Sequence, residues 1–328
     1  MARKRKKSKV LMQIIILIFL LILLFITEQP DILEVFNEIF AEFGVVDASE
    51  NTFGGVKKDF ELIESVAENI DIRKDKLNII FFDVGQADCE LIIFKGKTVL
   101  IDAGNSKDGE KIVNGLKALN INKLDYVIGT HVHEDHIGGM SYIIDNFDIG
   151  KFYLPYNTTN TTSYYSKLLT SLSKKNLSIN EAKIGDKFFI EDLICEIMSV
   201  DNSEPDNANH TSIVLEITYK NQKYLFMGDA ETINEKSRSW NDVDVLKVGH
   251  HGSNTSSSEK FLRQVLPEIA VISVGKDNSY GLPKEKILNR INNLGTEIYR
   301  TDEDGTIQII SDGETDEIIK IEISFDGN

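Results

Sequence analysis

Cysteine is scarce in this chain: Cys89 and Cys195 are the only two among 328 residues. Each sits in an apolar, strand-like run far from the other in sequence. That spacing supplies no disulfide framework, and the expectation is two buried free thiols. Basic residues are also scarce outside one place. Lys and Arg total 36 against 52 Asp and Glu, and six of the basic residues crowd into the first nine positions. Without them the balance is 30 to 52, a net charge of −22. Such a surface repels polyanions, which argues against tight, non-specific duplex DNA binding, since that needs Lys and Arg to displace counterions. A metal site can still draw in a phosphate locally. Long apolar runs are missing too, again with one exception near the N-terminus. With 41% apolar and 27% charged residues, the remainder has the composition of an ordinary globular protein, not of collagen, coiled coil or a disordered chain.

The exception is the segment 10–26, apolar throughout except for Gln13 and preceded by Arg3, Lys4, Arg5, Lys6, Lys7 and Lys9. Its 17 residues span roughly 26 Å as a helix, close to the thickness of a hydrocarbon core. Cations before the span and acids after it predict a cytoplasmic N-terminus and an extracytoplasmic remainder. The residues after the span lack the small-x-small triplet of a signal-peptidase site, so the reading is an uncleaved signal anchor, with a cleaved, secreted form as the alternative. Residues 1–27 are therefore read as a basic cluster and transmembrane helix, and 28–75 as a stalk. Residues 76–328 are read as the catalytic domain.

Within 76–328 the rhythm is that of an α/β protein. Strands are expected at 77–84, 90–94, 98–101, 126–129 and 152–154, with helices at 109–119, after His136, and at 164–174. The second half repeats the style, with strands at 187–200, 212–218, 223–226, 245–248, 270–274, 297–300, 306–310 and 317–323. Its helices are expected at 231–239, 257–266 and 284–294. Two mixed stretches of similar size predict two packed sheets with helices outside, a four-layer αββα sandwich.

The chemistry concentrates at residues 129–139. Three of the chain's six histidines fall within six positions there. An apolar strand leads in and a helix follows, so the cluster sits in a strand-to-helix loop, where α/β proteins place their sites. His131 and His133 alternate with non-ligands and can converge on one ion, while Asp135 and His136 point to a second. Asp229 follows the apolar segment 224–227 and a glycine; presented at a strand end, its two oxygens can bridge a pair of ions. His250 and His251 follow another strand. His251 is read as a metal ligand and His250 as a substrate-contacting group, with the reverse assignment as the alternative. His210 is read as a further ligand that could complete a three-histidine set, the alternative being a loop histidine. Asp102, after the strand at 98–101, is expected to accept a hydrogen bond from a ligand histidine and orient its ring. Asp88 is read as a turn residue or as a neighbour of the site.

The ordered set His131, His133, Asp135, His136, a downstream Gly-Asp and a late His resembles the metallo-β-lactamase superfamily pattern. The flanking strings FDVGQAD (82–88), IDAG (101–104), THVHEDHIGG (130–139), VLKVGHHGS (245–253), SVGKDNSYG (273–281) and YRTDEDG (299–305) are similar to the hydrolase domain of the ComEC/Rec2 competence proteins. The resemblance runs from about Leu77 to Ile323. It implies the αββα metallo-β-lactamase sandwich, two divalent ions and phosphodiester substrates, and it draws Asn278 and Tyr280 into the surroundings of the site. Two departures matter. The competence proteins also carry a polytopic channel and an OB-fold region, so DNA import is not implied. Leu282 stands where the family usually has a histidine after its Tyr-Gly pair, which removes any proton transfer from that position. Imidazole and carboxylate ligands predict zinc, with manganese as the alternative. The expected function is hydrolysis of phosphodiesters by a metal-activated water, Asp135 holding the second ion and His250 and Ser253 stabilising the developing oxyanion. A carboxylic ester or lactone hydrolase, or a silent tethered binding module, are the competing readings. The membrane and a small phosphodiester or nucleic-acid substrate are the expected partners.

Overall fold

Alternation builds the core. In β1 (Leu77–Phe81), Leu77, Ile79 and Phe81 join one apolar cluster while Ile80 joins another on the opposite face. Successive residues of a strand face opposite ways, so a strand that is apolar on both faces has to be covered on both. The split recurs in β3 (Lys97–Ile101), with Val99 and Ile101 against Leu100, and in β10 (Gln222–Phe226), with Tyr224 and Phe226 against Leu225. The computed structural model describes residues 65–66, 68–155, 160–201, 207–323 and 325. The expected membrane helix and most of the expected stalk lie outside these. Among the described residues no helix is long and apolar enough to cross a membrane.

Two mixed sheets result. The first has eight strands in the order β15 (Asp316–Ile321), β14 (Thr306–Ser311), β1, β2 (Glu90–Phe94), β3, β4 (Lys123–Ile128), β5 (Asp148–Leu154) and β6 (Ile179–Glu181). The second has seven, in the order β13 (Glu297–Arg300), β12 (Ile269–Ile272), β11 (Val245–Lys247), β10, β9 (Val214–Tyr219), β8 (Leu193–Ser199) and β7 (Lys187–Ile190). Aromatic pairs stitch the sheets face to face: Phe81 on Phe226 at 6.0 Å between ring centres, Phe94 on Tyr219 at 4.9 Å and Tyr126 on Phe188 at 4.3 Å. On the outer face of the first sheet, α1 (Gly109–Ala118) buries Ile112 and Leu116, α3 (Met140–Asn146) buries Ile143 and Ile144, and α4 (Ser163–Lys174) buries Leu168 and Leu172. On the outer face of the second, α6 (Glu259–Val265) and α7 (Glu285–Asn292) bury Phe261, Leu262, Ile287 and Ile291. This is the four-layer αββα arrangement. Both cysteines are buried and free, as expected.

Three local features depart from the sequence reading. The segment 187–200 is a hairpin and not one strand, because Glu191 turns in the left-handed region at φ 52° and lets β7 pair with β8. The helix expected after His136 is divided into α2 (Glu134–Ile137) and α3, with Gly138 and Gly139 between them. A side chain at Gly139 would put its Cβ 2.2 Å from the Ala103 carbonyl oxygen, so only glycine lets this turn lie against the end of β3. Val66 and Ile70, within the segment read as stalk, are buried in the first outer layer, so packing begins before residue 76.

The parallel strands β3 and β4 in one sheet and β10, β11 and β12 in the other run toward one edge of the sandwich. Their C-terminal ends open into the loops that carry the polar motifs, the expected place for a site in such a fold.

Candidate metal centre

Asp102, the first residue beyond β3, adopts φ 55° and is fully buried. Its Oδ1 accepts the Thr130 backbone N–H at 2.8 Å. Its Oδ2 accepts the Thr130 hydroxyl at 2.7 Å and lies 2.7 Å from His136 Nδ1. The Thr130 hydroxyl, having donated to Asp102, accepts from His131 Nδ1 at 3.1 Å. Both imidazoles therefore carry their hydrogen on Nδ1 and turn the Nε2 lone pair toward the space between the sheets. Asp102 has the orienting contacts expected of it.

Asp229 arrives from the other sheet, after β10. Gly228 precedes it at φ 50°, and a Cβ there would come within 2.9 Å of the Thr130 side chain. This close approach brings the two sheets' loops together. Asp229 divides its oxygens: Oδ1 lies 3.3 Å from His136 Nε2 and 3.6 Å from His251 Nε2, while Oδ2 lies 3.8 Å from His131 Nε2 and 3.6 Å from His250 Nε2. Two sets of donors follow. Asp135, His136, Asp229 and His251 form an inner set and His131, His133 and Asp229 an outer one, the donor atoms of each lying within 4.8 Å of one another. His136 Nε2, His251 Nε2 and Asp229 Oδ1 are buried without any hydrogen-bond partner. Three such atoms facing one point, two of them imidazole lone pairs, fit a divalent cation and little else, because buried polar groups otherwise find partners.

The electrostatics agree. Burial pulls the His136 imidazole down, but Asp229, Asp102 and Asp135 outweigh it and hold its pKa well above the ordinary value. Burial likewise opposes charging of His251, yet Asp229 and Asp88 push its pKa up to about 10. Burial opposes ionisation of Asp135, but His136 and His251 lower its pKa to about 2. Carboxylates gathered in a space that excludes water create a demand for positive charge, met by protons when no cation is there. His131 goes the other way: burial, then the neighbouring His136, keep it well below the usual imidazole range, which suits a neutral ligand.

The adjacent histidines reach different sets. His250 and His251 both adopt left-handed backbone, at φ 50° and 51°, a costly pair of conformations that sends the two rings apart. His251 joins the inner set, its Nδ1 donating to the Ser273 carbonyl at 2.9 Å. His250 is half-buried, its Nδ1 2.9 Å from the Thr255 hydroxyl and its Nε2 facing Asp229. The Ser253 backbone N–H donates to the His250 carbonyl at 2.8 Å, while its hydroxyl meets the same Thr255 hydroxyl as the His250 ring, at 3.2 Å, and closes its own turn.

Other expected residues lie elsewhere. His210 enters neither set: its Nε2 lies 3.1 Å from Glu231 Oε2 and 2.9 Å from Asn207, because the short 3-10 turn Ala208–Thr211 aims it toward α5 (Thr232–Lys236). Asn278 staples its own loop, donating to the Gly275 and Leu282 carbonyls and accepting the Leu282 N–H. Tyr280 is 68% exposed. Glu231 also belongs to these surroundings. It spans His210, His250 at 3.4 Å and Asn209 at 3.3 Å, a role invisible in a sequence that presents it only as a helix start.

Facing sheets with an imidazole–carboxylate centre at their strand ends define a class, that of the αββα metallo-β-lactamase-fold proteins. The chain belongs to the metallo-beta-lactamase superfamily, whose family model matches residues 82–276. It is 31% identical over 248 residues to ComE operon protein 3 of Bacillus subtilis, covering 69% of this chain and 32% of that protein. It is 32% identical over 239 residues to Recombination protein 2 of Haemophilus influenzae, covering 69% and 28%. The chain thus matches about a third of the length of these relatives. Among solved structures, a CmlA beta-hydroxylase E377D mutant shares the fold with a TM-score of 0.51 at 12% identity, covering 73% of this chain and 54% of that one.

Proposed function

We propose that the protein is a two-ion phosphodiester hydrolase, tethered to a membrane by residues 10–26 with its catalytic domain outside the cytoplasm. The observation that carries the two-ion reading is the division of Asp229 between the donor sets, one oxygen facing each. His131, His133 and Asp229 would hold one ion and Asp135, His136, Asp229 and His251 the other, zinc suiting the donors and manganese standing as the alternative. Divalent ions so held supply Lewis acidity, making water nucleophilic near neutral pH and polarising the oxygen of the bond to be cleaved. The chain's own groups do the rest. Asp102 and Thr130 keep the His136 and His131 rings from rotating. His250, half-exposed and fixed through Thr255, offers Nε2 to a substrate oxygen. Three of the four inner residues, His136, Asp229 and His251, are buried, which limits the approach of bulk water to them.

The phosphodiester class rests on the likeness to the competence proteins over the hydrolase region. Their wider activity does not come with it, given the fraction of their length matched here. The net charge of −22 outside the N-terminal cluster favours small phosphodiesters over long duplex DNA. The test uses the full-length chain and its Asp135→Ala variant, with bound metal counted and hydrolysis of bis-p-nitrophenyl phosphate, DNA and a lactone measured side by side. Two ions in the wild type, one in the variant, and loss of most phosphodiester turnover are expected. Near-normal turnover by the variant refutes the two-ion reading, and a preference for the lactone refutes the substrate class.

A further inference from the structure

Behind His251, on the side away from the donor sets, lies a buried ion pair that the reaction as described does not use. Lys247 and Asp88 are each 1% exposed, and Lys247 Nζ donates to Asp88 Oδ2 at 2.7 Å. Lys247 ends β11, four residues before His251, and Asp88 comes from the loop that leads into β2. The nearest other carboxylate to the ammonium is that of Glu90, its Oε1 3.8 Å away. An apolar pair of the same shape would be cheaper to bury, so a pair of ions here calls for a use.

Asp88 contacts three of the four inner residues. Its Oδ1 lies 3.3 Å from His251 Nδ1, its Oδ2 4.0 Å from His136 Nδ1, and its backbone N–H donates to the Asp135 carbonyl at 3.0 Å. We propose that Lys247 is a positioning residue, clamping the Asp88 carboxylate so that Oδ1 stays turned to His251 Nδ1 and the ring stays aimed at the inner ion position. His251 Nδ1 donates to the Ser273 carbonyl, and Asp88 Oδ1, buried with no hydrogen-bond partner, lies 3.3 Å from the same nitrogen as a second acceptor. A nitrogen between two acceptors carries the hydrogen, which leaves the lone pair on Nε2, where Asp135 lies at 3.4 Å and Asp229 at 3.6 Å. Lys247 itself touches neither ion position, and Asp88 transmits its effect. The inference rests on the two-ion reading of the site.

The test titrates full-length wild type, Lys247→Met, Asp88→Asn and the double variant with Zn²⁺ against a chromophoric chelator, and records the visible spectrum of each loaded with Co²⁺. The expected result is a loss of about tenfold to a hundredfold in affinity at one site in each single variant, with the other site unchanged. The double variant should match the single ones, because both groups act along one line, and the Co²⁺ spectrum should shift alike in all three. A Lys247 that only supported the fold would lower the melting temperature and leave ion affinity and spectrum as in the wild type, which overturns the proposal. So does an additive loss in the double variant. If Lys247→Met does not fold, Lys247→Gln, which keeps a donor without the charge, takes its place, with weaker binding expected and wild-type binding overturning the idea. A wild type that binds fewer than two ions refutes the two-ion reading and this inference together, whereas two ions held equally by every variant refutes only the inference.

Discussion

The two ends of the strands handle charge in opposite ways. Where β1, β3 and β4 begin and β2 ends, a groove of about 730 Å³ is lined by Arg73, Lys95, Lys97, Lys123 and Asp125 among others. There four of the five lining cations are paired: Arg73 with Glu317, Lys95 with Asp192, and Lys97 and Lys123 with Asp125 at 3.6 and 3.0 Å, while Lys74 is exposed to water. None of the buried atoms left without a hydrogen-bond partner among the described residues lines this groove. At the other end, His136, His251 and Asp229 each keep a buried atom unpartnered and aim it at a common point. Exposed pairs are held cheaply and contribute little, whereas buried unpartnered atoms cost stability unless something completes them. The difference marks one end as surface and the other as a receptor for cations.

The strongest attempt to break that contrast is Asp229→Asn. The amide keeps the shape but replaces one oxygen of the carboxylate that both donor sets share. Bound metal should fall below two ions per chain and phosphodiester turnover by about three orders of magnitude, since groups acting as a unit lose function together. Circular dichroism should keep its wild-type shape. Full metal occupancy in this variant would show that the two sets do not depend on a shared carboxylate.

A milder effect is expected of His210→Ala. His210 lies at the site end but behaves like the groove, its ring engaged by Glu231 and Asn207. Metal content should be unchanged and turnover within a few-fold of wild type, any loss arising from a loosened Glu231 beside His250. Loss of an ion on this substitution, counted by metal analysis, would return His210 to the ligands.

Much of this organisation could be read in the residues beforehand. Apolar alternation announces most strands, and the crowding of His131, His133, Asp135 and His136 behind an apolar strand announces the centre. Asp229 was accessible from its place after an apolar strand and a glycine. What could not be read depends on geometry that sequence does not carry. The division of labour between His250 and His251 follows from two consecutive left-handed residues, an uncommon backbone that the sequence does not announce. A histidine ahead of a strand resembles the other candidate ligands in sequence, and only the turn at 208–211 aims His210 toward Glu231. Lys247 sits in a three-residue strand, all of it buried, where a lysine reads as an edge residue until its partner, more than a hundred residues away, is in place.

The smallest effect is expected at the opposite end, from Asp125→Ala. Asp125 Oδ2 accepts the Thr98 backbone N–H at 3.2 Å, and its carboxylate, kept below its usual pKa chiefly by Lys123 and Thr98 against the pull of burial, also faces Lys97. Removing it strands one N–H at the edge of β3 and frees two exposed lysines. The first effect is worth about 1 kcal/mol and the second close to nothing, because water screens exposed charges. Chemical denaturation should register that modest loss, while metal content and turnover stay at wild-type values. A fall in either would mean that the groove and the centre are coupled across the length of the strands. The division between a self-satisfied end and a cation-seeking end would then have to be abandoned.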